Sequence, residues 1–102
     1  MYILLKESLP DSFAPLVAAH ASLACFRAFE NNENMQSWIG GSFKKVVCRV
    51  NEKEFAKAKT FDDVVVLTES ALDNEEVCVV ACPREEFPKP FRFYKMWTPT
   101  DD

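Results

Sequence analysis

The chain has little glycine, a single histidine and no long apolar run. Its 102 residues hold only two glycines, the adjacent Gly40 and Gly41. That excludes collagen-like and glycine-rich low-complexity classes. It also leaves no phosphate-cradling P-loop and no G-x-G-x-x-G. Neither G-x-S-x-G nor H-E-x-x-H occurs, which removes the common serine-hydrolase and zinc-protease patterns. His20 is the only imidazole, and Cys25, Cys48, Cys78 and Cys82 make no C-x-x-C pair. A tetrahedral zinc site is therefore not expected, and neither is any other metal or cofactor. No apolar stretch reaches the roughly 18 residues of a membrane span. Met1–Leu5 is cut off by Lys6 and Glu7 before it resembles a secretory signal.

What is present is the composition of one globular domain: 48% hydrophobic, 27% charged and 13% aromatic, with nine phenylalanines. The expected boundaries are one domain over residues 1–97 and a frayed tail over 98–102. The net charge is −4, which argues against a broad nucleic-acid grip. The charge is segregated, however. Residues 43–60 carry six basic and two acidic groups, and residues 61–83 carry six acidic groups and no basic one. A basic segment thus adjoins an acidic one. It is either an ordinary charged surface or a patch for an anionic partner.

Cys78 and Cys82 lie on one apolar run. On a strand they would be about 13 Å apart, at ~3.3 Å per residue, too far for a disulfide. All four cysteines read as small buried hydrophobes of a cytoplasmic protein.

Tyr2–Lys6 reads as a buried strand. Asp11 or Ser12 can cap a helix that runs from Phe13 to about Phe29, rich in Ala and Leu. Leu16, Ala19, Leu23 and Phe26 mark its apolar spacing. Met35–Ile39 suggests one short helical turn. Phe43–Val50 has strand character. Asn51, with Glu54 three residues on, announces a capped helix over Glu52–Thr60 with Phe55 and Ala58 inward. Val64–Thr68 is a third strand. Val77–Cys82 is a fourth, apolar on both faces and hence central. Arg84–Phe87 suggests a helical turn. Phe91–Trp97 alternates apolar and basic residues, as an edge strand or an amphipathic arm would. The expected fold is a single three-layer α/β/α domain with a mixed four-stranded sheet.

The residues with useful chemistry are His20, Lys6, Ser12, Glu69, Asp73 and the Lys44, Lys45, Arg49 group. His20 sits among alanines and is the natural acid or base near neutral pH. The bland alternative is a core histidine bonded to a carbonyl. Glu69 ends an apolar strand, at the edge where α/β sheets bind ligands. It is otherwise a solvated turn residue. Lys44, Lys45 and Arg49 form the candidate nucleic-acid contact, and Lys53 and Lys57 share one helix face.

The layout resembles the type 2 peptidyl-tRNA hydrolase family. The residues that carry this are the first strand ending in Lys6, the Ala-rich helix around His20 (Leu16–Ala21), the lysine-led strand Lys44–Val50, the Asn51–Lys57 cap and helix, and the Val77–Glu86 strand with Pro83 and an acidic pair. The resemblance spans about residues 2–95. It is nearest the short, divergent peptidyl-tRNA hydrolase domain proteins, which also end in a segment like Phe91–Tyr94. It implies a mixed four-stranded sheet between helices, and metal-free binding and hydrolysis of the ester of peptidyl-tRNA.

By position, the family's histidine matches His20. Its lysine seven residues earlier is replaced by Phe13, and its glutamine three residues earlier by Val17. Its Asp-Ala-Gly turn becomes Glu69-Ser70-Ala71, and its Arg-Thr becomes Leu72-Asp73-Asn74. Losing one oxyanion donor costs about 2.7–4 kcal/mol, or ~10²–10³ in rate. Three readings follow. The chain is a hydrolase rebuilt on His20, Glu69 and Lys6. Or it is a degenerate member that binds tRNA or another ligand. Or it is an interaction module that uses Phe91–Trp97 to form a homodimer or to bind a protein partner. No membrane contact is expected.

Overall fold

The computed structural model describes residues 1–100. Strand β1 (Tyr2–Lys6) occupies the middle of the sheet because its three central residues, Ile3, Leu4 and Leu5, are apolar and buried on alternate faces. It pairs in parallel with β2 (Val46–Val50) and antiparallel with β4 (Glu75–Ala81). Strand β3 (Val64–Glu69) lies antiparallel to β4 at one edge. Strand β5 (Lys95–Met96) lies antiparallel to β2 at the other. The order is β3-β4-β1-β2-β5. Strands β1, β2 and β3 therefore point one way, and β4 and β5 the other. As its doubly apolar sequence requires, β4 is interior.

Five strands are present where four were expected. The extra one comes from the Phe91–Trp97 segment, which divides. A 3-10 turn covers Lys89–Phe93, with Pro88 at its N-cap and Pro90 within it, and only Lys95 and Met96 pair with β2. Strand β2 is also shorter than expected, because Phe43 turns into the left-handed region (φ 55°) before it. Arg84–Phe87 forms no helical turn.

A 3-10 turn at Asp11–Phe13 leads into helix α1 (Ala14–Ala28), whose N-cap is Phe13 and not Asp11 or Ser12, because the Asp11 carboxylate accepts from Arg49 and Thr100 instead. Its buried residues are Ala14, Val17, Ala21 and Cys25. Leu16 and Leu23, which the apolar spacing pointed to, stand 49% and 61% exposed. Small side chains face the sheet so that the helix packs close, and the larger leucines are left outside. Helix α2 (Glu33–Ile39) is longer than one turn. Asn32 caps it by accepting from the Asn34 and Met35 backbone N–H groups, and it buries Met35 and Trp38. Helix α3 (Glu52–Ala58) starts with the reciprocal capping box expected of Asn51 and Glu54.

The sheet has a core on each face. Ile3, Leu5, Cys78 and Val80 pack with Ala21, Cys25, Met35 and Trp38. Leu4, Cys48, Val50 and Val79 pack with Phe55, Ala58, Phe91 and Tyr94. All four cysteines are free and buried. Each large apolar side chain so buried contributes about 1.5–3 kcal/mol. Residues 98–100, expected to fray, are tied down. The Thr98 carbonyl accepts from Arg49 Nη2 at 2.7 Å, and the Thr100 N–H and hydroxyl donate to Asp11 Oδ2 at 2.7 and 2.9 Å. The rest of that expected tail, 101–102, lies outside the described residues. No helix among the described residues is long and apolar enough to cross a membrane.

Candidate functional site

His20 lies mid-way along α1 and is exposed. Once Val17 and Ala21 turn inward, residue 20 falls on the outer shoulder of the helix. Its ring borders a shallow hollow of about 270 Å³ with Leu23, Ala24, Arg27 and Leu67 of β3. The imidazole is open to an incoming ligand, and Arg27 supplies a cation beside it. Neither Lys6 nor Glu69 lines this hollow.

Lys6 is at the carboxyl end of β1, on the other face of the sheet. Its ammonium stands 5.0 Å from the centroid of Phe55, a residue of the α3-side core. Glu52 and Glu75 hold it at 3.5 and 3.9 Å, and its side chain is only 13% exposed. Glu69 reaches the same end of the sheet, paired across from Glu75. Its carboxylate accepts from the Ala71 N–H at 3.2 Å and caps the 3-10 turn Ser70–Leu72. The β3–β4 link then needs left-handed backbone at Asp73 and Asn74 (φ 55° and 60°), which suits Asp and Asn. Ser12 is exposed in the turn before α1. No hydrogen bond or ion pair among the described residues joins His20, Lys6 and Glu69.

The three candidate nucleic-acid cations have different surroundings. Arg49 is a clamp. Its Nη2 donates to Asp11 Oδ1 at 3.1 Å and to the Thr98 carbonyl, and its Cζ lies 5.2 Å from the Trp97 centroid. The Asp11 carboxyl is held below the usual range, first by the Thr100 N–H, then by the Thr100 hydroxyl and Arg49. Lys45 rests on two stacked rings, with Nζ 3.3 Å from the Phe43 centroid and 5.0 Å from Trp38. Lys44 lines a hollow of about 390 Å³ with Ser37, Ser42 and Arg84. Arg84 is occupied there, because its Nη2 donates to the carbonyls of Asp62 and Asp63 at 3.0 Å each.

A fourth feature was not foreseen. The C-terminal 3-10 turn lies against α3, and the two enclose a cleft of about 420 Å³. Pro90, Phe93 and Tyr94 line it, and Lys53, Lys57 and Lys89 surround it. Glu54, the one acid present, is engaged in the α3 cap by accepting from the Asn51 N–H at 2.9 Å. Phe93 is 71% exposed. The Tyr94 hydroxyl is buried with no hydrogen-bond partner among the described residues. Such a group costs about 1–3 kcal/mol. Burial pushes the Tyr94 pKa up, and the charges of Glu54 and Cys48 add to the shift. The i,i+4 lysines of α3 and the alternation in Phe91–Lys95 were both visible in the sequence. Nothing local said that they meet.

Fold and sites together define a compact α/β domain with a five-stranded mixed sheet and three helices. Compared with known protein families, curated proteins and solved structures, the chain matches none of them.

Proposed function

We propose that this chain is a divergent domain of the type 2 peptidyl-tRNA hydrolase kind, one that binds the ester-bearing end of peptidyl-tRNA and has lost most or all of its hydrolysis. The resemblance of the β1, α1, β2, α3 and β4 segments supports the family reading. The α/β layering, with helices on both faces of a mixed sheet, agrees with it at a coarse level.

One observation carries the loss of hydrolysis. His20 is on the outer shoulder of α1, whereas Lys6 is sequestered by Glu52 and Glu75 on the opposite face of the sheet. Ester hydrolysis needs a base within about 2.6–3.2 Å of the attacking water and donors aimed at the oxyanion. Phe13 and Val17 supply no donor where the family has lysine and glutamine, and Glu69 is turned into its own loop. What remains suits binding. His20 and Arg27 border an open hollow, and Lys44 borders another.

A second reading, residual catalysis by His20, is favoured by the openness of its hollow. The test is release of peptide from a defined N-acetyl-aminoacyl-tRNA, with His20→Ala alongside and binding of the same tRNA followed over a salt series. No release with salt-dependent binding supports the binder. Release that falls ~10²-fold or more in His20→Ala replaces it with the enzyme. Neither release nor binding overturns both.

A further inference from the structure

We propose that the lysine-rimmed cleft between α3 and the C-terminal 3-10 turn docks an acidic amphipathic helix of a protein partner, anchored by one large apolar side chain. This goes beyond the tRNA reading and stands on different residues.

The cleft is apolar inside and cationic outside. Pro90, Phe93 and Tyr94 form its walls, and Lys53, Lys57 and Lys89 form its rim. None of the three lysines pairs with a carboxylate among the described residues. The nearby acid, Glu54, keeps its charge while it accepts from the Asn51 N–H, so three cations stand against one carboxylate. The rim is therefore a local positive field on a chain whose net charge is −4. Phe93 keeps a large ring in water at 71% exposure. A solvated aromatic beside an apolar hollow is what a partner's anchor covers.

The spacing selects the partner's shape. Lys53 and Lys57 are one helical turn apart, about 5–6 Å between Cβ atoms. Carboxylates one turn apart on a facing helix meet both at once, while its apolar face enters the cleft. Single-stranded RNA fits less well. Beyond the lysines, the engaged Glu54 and the tyrosine, the lining has no side-chain polar group for base edges.

The probe is a fluorescein-labelled peptide, Glu-Phe-Glu-Glu-Leu-Leu-Glu-Glu, followed by anisotropy. A copy with Lys for every Glu and a single-stranded oligouridine serve as comparisons. The proposal expects the acidic peptide to bind and the basic copy not to bind. It expects a loss of about tenfold or more in Phe93→Ala and in the Lys53→Glu, Lys57→Glu pair. Phe93 and the lysines are at the surface, and matching thermal melts establish that the variants are folded. Absence of acidic-peptide binding, or equal binding by the cleft variants, overturns the proposal. So does oligouridine or tRNA binding that is lost in those variants, which would assign the cleft to RNA. Failure of the tRNA reading alone leaves the peptide result standing.

Discussion

Removing one oxygen atom should make this protein more stable. The Tyr94 hydroxyl is hidden from solvent and has no partner among the described residues. Its desolvation costs about 1–3 kcal/mol. Tyr94→Phe removes that cost and leaves the ring, which packs edge-on to Phe91 with centroids 5.1 Å apart. The substitution forfeits the dispersion contacts of one atom, each ~0.1–0.2 kcal/mol, so somewhat under ~1 kcal/mol in all. The net expectation is a gain of about 1 kcal/mol. For a domain of this size that is about 4–8 °C in Tm. Thermal and urea melts test it, with an unchanged m-value as the check that only stability moved. The pH dependence gives a second readout. Burial raises the Tyr94 pKa above its ordinary 10.0. A group raised on folding contributes stability below its unfolded pKa and loses it as pH rises through the folded value. The advantage of Tyr94→Phe should therefore widen above about pH 10. An unchanged or lower Tm would refute the reasoning and mean that the hydroxyl has an acceptor in solution.

Gly41→Ala should cost about 1–3 kcal/mol in urea melts, because a Cβ there would sit 2.6 Å from the Ser37 carbonyl oxygen. Gly40→Ala, whose nearest atom is 3.7 Å away, should be far milder. Asn51→Ala removes the side-chain half of the α3 capping box, the bond from the Glu54 N–H, and leaves the backbone N–H that donates to Glu54. It should cost about 1 kcal/mol and speed amide exchange over residues 52–58. Burial pushes the Cys25 and Cys78 thiols up to about 12, and Cys48 to about 11, from 9.0. Their contribution is intact below pH 9.0 and is lost as pH rises through 11–12. Urea midpoints should therefore hold from neutral pH to about pH 9 and fall as pH rises beyond it toward 11, and the native thiols should resist a thiol reagent until the protein unfolds. The depressed Asp11 carboxyl works in the opposite sense, with its contribution present above its ordinary 3.8 and lost as pH falls below. Asp11→Asn should flatten the acid limb of the stability profile.

The regular elements were legible where their signals were local. The apolar run of β1, the doubly apolar β4 and the Asn51–Glu54 box each declare themselves within a few residues. The orientation of α1 did not. Its leucines are the most hydrophobic residues, yet the sheet takes the smaller Ala14, Val17 and Ala21, because close approach of helix to sheet outweighs the burial of Leu16 and Leu23. The candidate site was read one residue at a time, as a basic strand end, a histidine in a helix and a carboxylate at a strand end. Which face of the sheet each served was not legible, because alternation along β1 assigns Lys6 a side only once α1 and α3 have taken theirs.

By itself, then, the sequence determined most element types, the α3 cap and the burial of four cysteines. These depend on interactions within a turn or two of chain. The tertiary structure alone decided the strand order, the fifth strand, the separation of Lys6 from His20 and the meeting of α3 with the C-terminal turn. It also decided the Arg49–Asp11–Thr100 clamp, whose two threonine contacts to Asp11 span 89 residues of chain. Such contacts form only after the loop entropy between distant segments has been offset by burial of both cores. No short window of residues encodes that balance.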